Sequence, residues 1–354
     1  IIKQAMMPKL SLVSGALVVL LAALLGNAPG VPEWKYDLPN TVEEEKGQTI
    51  QFTGGDGTTT LTGRLYHPAG RKQQTPVIVL AHGLGLSQDC SLDIFVNAFN
   101  DAGFATFTFD YATFGASEGF PRHVINPSGQ IADLHAAIDV IEKTDSLQVD
   151  TSKIGLWGTS YGGGHVLVAA ASQNPSIRAV VSQVPALGSG AESVLATLMR
   201  TPHMTTVALA KTLLASMKWA LLGIVGKTWY VPLHGLLGSA AMMQNEGDNE
   251  GYAALLPPGG GKYGHRNAAS VGSVFRVLVH RPINSVASVV APSLLIAAEH
   301  DTLCPVEQVV KAAEIIEGAE LLVLPGLGHF DVYSGDALKE ILSSTINFFQ
   351  KHLK

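Results

Sequence analysis

The chain has 354 residues, 47% hydrophobic and 15% charged, enough apolar content to bury the core of one large domain carrying an insertion. Its formal net charge of -6, with no long lysine or arginine run, excludes the electrostatic footprint of a nucleic-acid binder. Two cysteines, Cys90 and Cys304, are too few for a disulfide framework, though a single bridge between them stays open, and no Cys/His spacing resembles a zinc site.

Leu10 to Leu25 is an uncharged apolar run of sixteen residues, preceded by Lys3 and Lys9 and followed by Gly26-Asn27-Ala28-Pro29-Gly30. This marks residues 1–30 as a signal peptide or membrane anchor: the run is long for a signal peptide and just short of the roughly 17–25 residues that span a bilayer. A cleaved signal implies secretion, a retained anchor implies membrane association through residues 10–25, and an ordinary buried helix is the third reading. Residues 31–47 read as a linker, and residues 48–185 as the first part of a core.

In that part, Thr49 to Phe52 and Thr58 to Tyr66 alternate apolar and polar residues around Gly54-Gly55-Asp56-Gly57, the pattern of a β-hairpin. Short apolar runs follow at Val77 to Ala81, Ala105 to Phe109, Lys153 to Trp157 and Ala179 to Ser182, separated by segments with helical spacing such as Ile131 to Ile141. Near-continuous apolar strands alternating with helices predict a mostly parallel, doubly wound sheet covered on both faces. The alternation stops at Pro185, leaving residues 186–290 as a largely helical insertion. Asn245 to Arg266 reads as a loop there, and Met199, Met204, Met217, Met242 and Met243 either line an apolar pocket or pack the insertion's own core. Residues 291–354 resume the pattern with a strand at 292–298, a helix from Glu307, a strand at Glu320 to Leu324 and a closing helix from Ala337.

The most informative stretch is Gly158-Thr159-Ser160-Tyr161-Gly162, between an expected strand and an expected helix, Gly163 to Gln173. A serine between glycines at such a turn is a nucleophile elbow, projecting its hydroxyl where a helix N-terminus faces developing negative charge. A serine needs a base to take its proton and an acid to orient that base. His329, in Pro325-Gly326-Leu327-Gly328-His329-Phe330, follows the last strand and is the candidate base. Asp301, after the strand at 292–298, is the preferred acid, in competition with Glu299, Asp331 and Asp110. His82, His165 and His300 read as local packing or hydrogen-bonding residues. Backbone N–H groups of Leu84, in His82-Gly83-Leu84-Gly85, and of Tyr161 are placed to hold an oxyanion.

Jointly these motifs resemble the α/β-hydrolase superfamily over roughly residues 48–353, with the insertion as its variable cap. Asp110 to Gly119 resembles the superfamily's Asp-x-x-Gly-x-Ser-x-Gly loop, lengthened before Gly115. With Ile154 to Gly162 and Gly328 to Tyr333, the chain is similar to the dienelactone-hydrolase-like and peptidase-like branch, including fungal polyketide-transferase-type members. The dienelactone hydrolases proper use cysteine, and this chain departs from them by carrying Ser160. The resemblance implies acyl transfer to water or another nucleophile without cofactor or metal. The expected substrate is a small-molecule carboxylic ester with an apolar acyl or alcohol group. Alternatives are a thioesterase or acyltransferase, a short-peptide hydrolase, and a non-catalytic ligand-binding member of the fold.

Overall fold

The computed structural model describes residues 47–70, 74–192, 229–237, 239, 241–257 and 265–354. The expected targeting segment, and Met199, Met204 and Met217, lie outside them. Among the described residues no helix is long and apolar enough to cross a membrane.

The expected hairpin is present as β1 (Gln48–Thr53) and β2 (Thr60–Tyr66), paired antiparallel. The strands β3 (Thr75–Ala81), β4 (Ala105–Phe109), β5 (Val149–Thr159), β6 (Ile177–Gln183), β9 (Ser293–Ala298) and β10 (Glu320–Leu324) join them in one eight-stranded sheet of order β1-β2-β4-β3-β5-β6-β9-β10. Only the β1–β2 and β2–β4 pairings are antiparallel. Each interior strand feeds both faces, as the near-continuous apolar runs predict. In β3, Val77, Val79 and Ala81 join one buried cluster while Ile78 and Leu80 join the other.

Helices close both faces. On the first lie α2 (Pro127–Lys143), α3 (Tyr161–Ala170) and α6 (Val306–Ile315), contributing Leu134, Ile138, Val166, Leu167 and Val309. On the second lie α1 (Asp93–Asp101) and α7 (Gly335–Leu353), whose Phe95, Phe99 and Phe349 surround Trp157 of β5 or its neighbours. Burying side chains of this size stabilises the fold by about 2 kcal/mol each.

Between β6 and β9 run β7 (Tyr230–Val231) and β8 (Ala269–Ser270), an antiparallel pair, with α4 (Asp248–Ala254) and α5 (Val271–Val279). The helix α4 corrects the expectation that Asn245 to Arg266 is a loop. Its seven residues hold a glycine, Gly251, and follow Gly247 in a left-handed conformation, so its own propensity is poor. Tertiary contacts of Asp248 and Tyr252, both buried, hold it instead. Met243 is buried in the main core cluster and Met242 packs against it, which favours core packing over a pocket role for these two. Cys90 and Cys304 are both free thiols, so no bridge joins them.

Candidate active site

The sequence brings β5 to an abrupt end because Ser160 takes φ 55° and ψ -118°, a left-handed conformation rare for a residue with a Cβ. Backbone bonds hold it there. The Ser160 N–H donates to the Gln183 carbonyl at 2.9 Å, and the Ser160 carbonyl accepts from Ala186 N–H at 2.9 Å and Gly164 N–H at 3.3 Å. The flanking glycines are needed for close approach: a Cβ on Gly158 would stand 2.3 Å from the Gly162 carbonyl oxygen, and one on Gly162 would stand 2.3 Å from that of Ala81. The first N–H groups of α3, beginning at Tyr161, consequently have no partner within the helix and face the turn.

Asp301 and His329 reach the same place from the loops after β9 and β10. His329 Nδ1 lies 2.6 Å from Asp301 Oδ2, and His329 Nε2 lies 3.1 Å from Ser160 Oγ. With the Nδ1 proton donated to the carboxylate, Nε2 is left as an acceptor for the serine hydroxyl. The second oxygen of Asp301 accepts from the N–H groups of Leu303 at 2.8 Å and Cys304 at 2.7 Å, so the carboxylate is fixed on three sides. Burial by itself lowers the pKa of His329. The charge of Asp301, the adjacent Cys304 and hydrogen bonds to both outweigh it and raise the value well above 6.5.

The competing acids are occupied elsewhere. Glu299 accepts from Gly326 N–H at 2.8 Å, and Asp331 braces the histidine loop by accepting from Gly328 N–H at 2.7 Å. Asp110 accepts from the N–H groups of Gln88 at 2.8 Å and Ala116 at 2.9 Å, and Ser117 donates to its carbonyl at 2.6 Å, a structural role for that loop. Among the histidines, His82 has its Nδ1 3.1 Å from the Gly83 carbonyl, and burial lowers its pKa to about 4, so it stays neutral. His165 is fully buried with Nε2 3.2 Å from Gln130 Oε1.

The loop after β3 lies against the elbow: a Cβ on Gly83 would stand 3.5 Å from Ser160 Cβ. The Gly83 carbonyl accepts from Leu86 N–H at 3.3 Å, which turns the Leu84 N–H of the same peptide unit to the opposite side. The Leu84 carbonyl accepts from the hydroxyl of Tyr252 at 3.0 Å.

Three residues near the site were not singled out in the sequence. Tyr252 belongs to a segment expected to be a loop. Cys304 enters the sequence reading only as a possible disulfide partner, yet its sulfur, an Asp301 oxygen and a His329 nitrogen lie within 4.8 Å of one another. These groups could ligate a metal, but the carboxylate and imidazole are already joined by their own hydrogen bond, and burial raises the thiol pKa and keeps it protonated. Asp248 is buried close enough to sense the charges of His329 and Asp301. Only its position two residues before an Asp-Asn-Glu run's end set it apart in the chain, which is no signal for a site.

The family model described as serine aminopeptidase, S33, matches residues 72–246. The quorum-quenching protein AidA of Acinetobacter baumannii is 32% identical over 302 residues, covering 85% of this chain and 94% of that protein. A polyketide transferase of Gibberella fujikuroi is 28% identical, covering 86% of this chain and 97% of that protein. The crystal structure of the α/β hydrolase GrgF from Penicillium sp. superposes with a TM-score of 0.66 at 26% identity, covering 86% of this chain and 98% of that one. Sheet order, elbow and near full-length similarity agree, and the chain belongs to the α/β-hydrolase superfamily.

Proposed function

We propose that the protein is a serine hydrolase that cleaves carboxylic esters through an acyl-enzyme intermediate. The observation that carries this is the continuous path from Ser160 Oγ to His329 Nε2 at 3.1 Å and from His329 Nδ1 to Asp301 Oδ2 at 2.6 Å. Ser160 attacks the acyl carbon while His329 takes its proton, and Asp301 keeps the imidazole in the required tautomer and stabilises its charge. The N–H groups of Leu84 and Tyr161 receive the oxyanion of the tetrahedral intermediate. His329 then gives its proton to the leaving alkoxide. Water, deprotonated by the same histidine, releases the acid and restores Ser160. The partly exposed side chains of Leu84, Leu303 and Phe330 favour an apolar acyl or alcohol group at this site.

A fluorophosphonate tests the reading, because it reacts with an activated serine and leaves a stable adduct. Labelling of the folded protein on Ser160, with p-nitrophenyl butyrate turnover removed by Ser160→Ala, is the expected result. A folded protein that neither carries label on Ser160 nor turns over esters overturns it. A second reading, transfer of the acyl group to an acceptor other than water, is favoured by the relative named polyketide transferase. Competing alcohols would separate the two, since transfer yields a new ester and hydrolysis a free acid.

A further inference from the structure

Among the described residues, one short helix of the insertion and the turn leading into it meet several of the loops around Ser160. At its N-terminal end, Asn245 Nδ2 lies 3.5 Å from Thr302 Oγ1, beside Asp301, and the Asn245 N–H donates to Asp248 at 2.8 Å. In its middle, Gly251 lies against the ring of Phe330, next to His329, so closely that a Cβ would stand 2.3 Å from Phe330 Cγ. One residue on, Tyr252 crosses 168 positions of sequence to donate its hydroxyl to the Leu84 carbonyl at 3.0 Å. Thus α4 touches the base loop and the loop after β3, and the turn leading into it reaches the acid loop.

The Tyr252 contact is built rather than incidental. The side chain is 2% exposed, and its ring stacks on the His234 ring with centroids 4.6 Å apart and planes 24° from parallel. His234 is held in turn by Nδ1 at 2.9 Å from Asn249 Oδ1 and by reciprocal bonds with Asn267, at 2.9 Å to its backbone N–H and 2.7 Å to its carbonyl. Burial raises the Tyr252 pKa well above 10, so the hydroxyl remains a donor. Leu84 is therefore gripped on both sides, by the turn from Gly83 to Leu86 and by Tyr252.

We propose that Tyr252 is a positioning residue for the oxyanion site, fixing the Leu84 backbone so that its N–H is aimed at the developing negative charge before substrate arrives. This rests on the ester-cleaving reading above. A preorganised donor acts mainly on the transition state, so its loss lowers kcat with little change in KM.

The test compares Tyr252→Phe with Ser91→Ala in the full chain. Ser91 Oγ donates to the Leu255 carbonyl at 2.9 Å, so that variant loosens the same helix without touching Leu84. With p-nitrophenyl butyrate as substrate and a boronic acid as transition-state mimic, Tyr252→Phe is expected to lower kcat about tenfold at unchanged KM and weaken the boronic acid by the same factor. Ser91→Ala is expected to retain both. Wild-type kcat and boronic-acid affinity in Tyr252→Phe overturn the proposal, as do equal losses in both variants that follow their melting temperatures. A wild-type protein without ester turnover or Ser160 labelling overturns the ester reading and the role of Tyr252 with it, whereas an active wild type matched by Tyr252→Phe overturns the Tyr252 role alone.

Discussion

The core loops and the insertion hold their parts of the site by different means. Ser160 and Asp301 are fixed chiefly by backbone groups: three main-chain bonds fix the serine and two main-chain N–H groups fix the carboxylate. The insertion meets the same region through single side-chain contacts: Tyr252 on the Leu84 carbonyl, Asn245 near Thr302 and, from the core side, Ser91 on the Leu255 carbonyl. Main-chain bonds survive most substitutions, while side-chain contacts can be exchanged one at a time. The proposed nucleophile and acid are therefore held mainly by the main chain of the core loops, whereas the insertion's hold on the same region depends on individual side chains.

Breaking the core side should be the more damaging. Asp301→Asn removes the acceptor that selects the His329 tautomer, and kcat/KM is expected to fall by about 10⁴. The same variant has a distinctive pH signature. In the proposed mechanism the base is neutral His329, so wild-type kcat/KM is expected to rise with pH through a midpoint above 6.5, because the raised pKa delays loss of the proton. Without the aspartate charge, burial dominates and the residual activity should rise at lower pH; an unmoved midpoint would contradict the cause assigned to the shift.

Next in size is Gly162→Ala, whose Cβ would meet backbone at 2.3 Å that cannot swing away. A loss of about 3 kcal/mol in urea unfolding is expected. Gly251→Ala presents the same 2.3 Å approach, but to the partly exposed ring of Phe330. It should cost only about 1–2 kcal/mol while moving KM, a contrast that sharpens the distinction between the two regions.

An effect that shows only as a change with pH concerns Asp248, whose pKa burial pushes up from 3.8 to about 6. A carboxyl that holds its proton more tightly when folded supports the fold at acid pH, and that support is lost as pH rises through about 6. Asp248→Asn does not titrate, so relative to wild type it should gain about 2 kcal/mol between pH 4 and pH 7 in thermal melts. A constant difference across that range would mean the Asp248 carboxyl titrates alike in the folded and unfolded chain.

What the sequence made legible follows the same division. The strands could be read because each is a local apolar run, and Ser160, Asp301 and His329 because each sits at the end of such a run in the expected order. The helix α4 could not be read, since Gly247 and Gly251 argue locally against it and only buried contacts from distant loops sustain it. Tyr252 was hidden for the same reason: nothing within a dozen residues announces a hydroxyl whose partner lies 168 positions away. Cys304 was visible as a residue, but its nearness to His329 depends on how two loops after separate strands fold together.

The chain order of the site also sets a clock. Ser160 and its proposed base, His329, are separated by 169 residues, with the whole insertion made between them. At about 5–20 residues per second of synthesis, a nascent chain carries its serine for roughly 10–30 s before the histidine exists. On the proposed mechanism Ser160 lacks its proton acceptor throughout that interval, so a chain still under synthesis is expected to leave esters untouched.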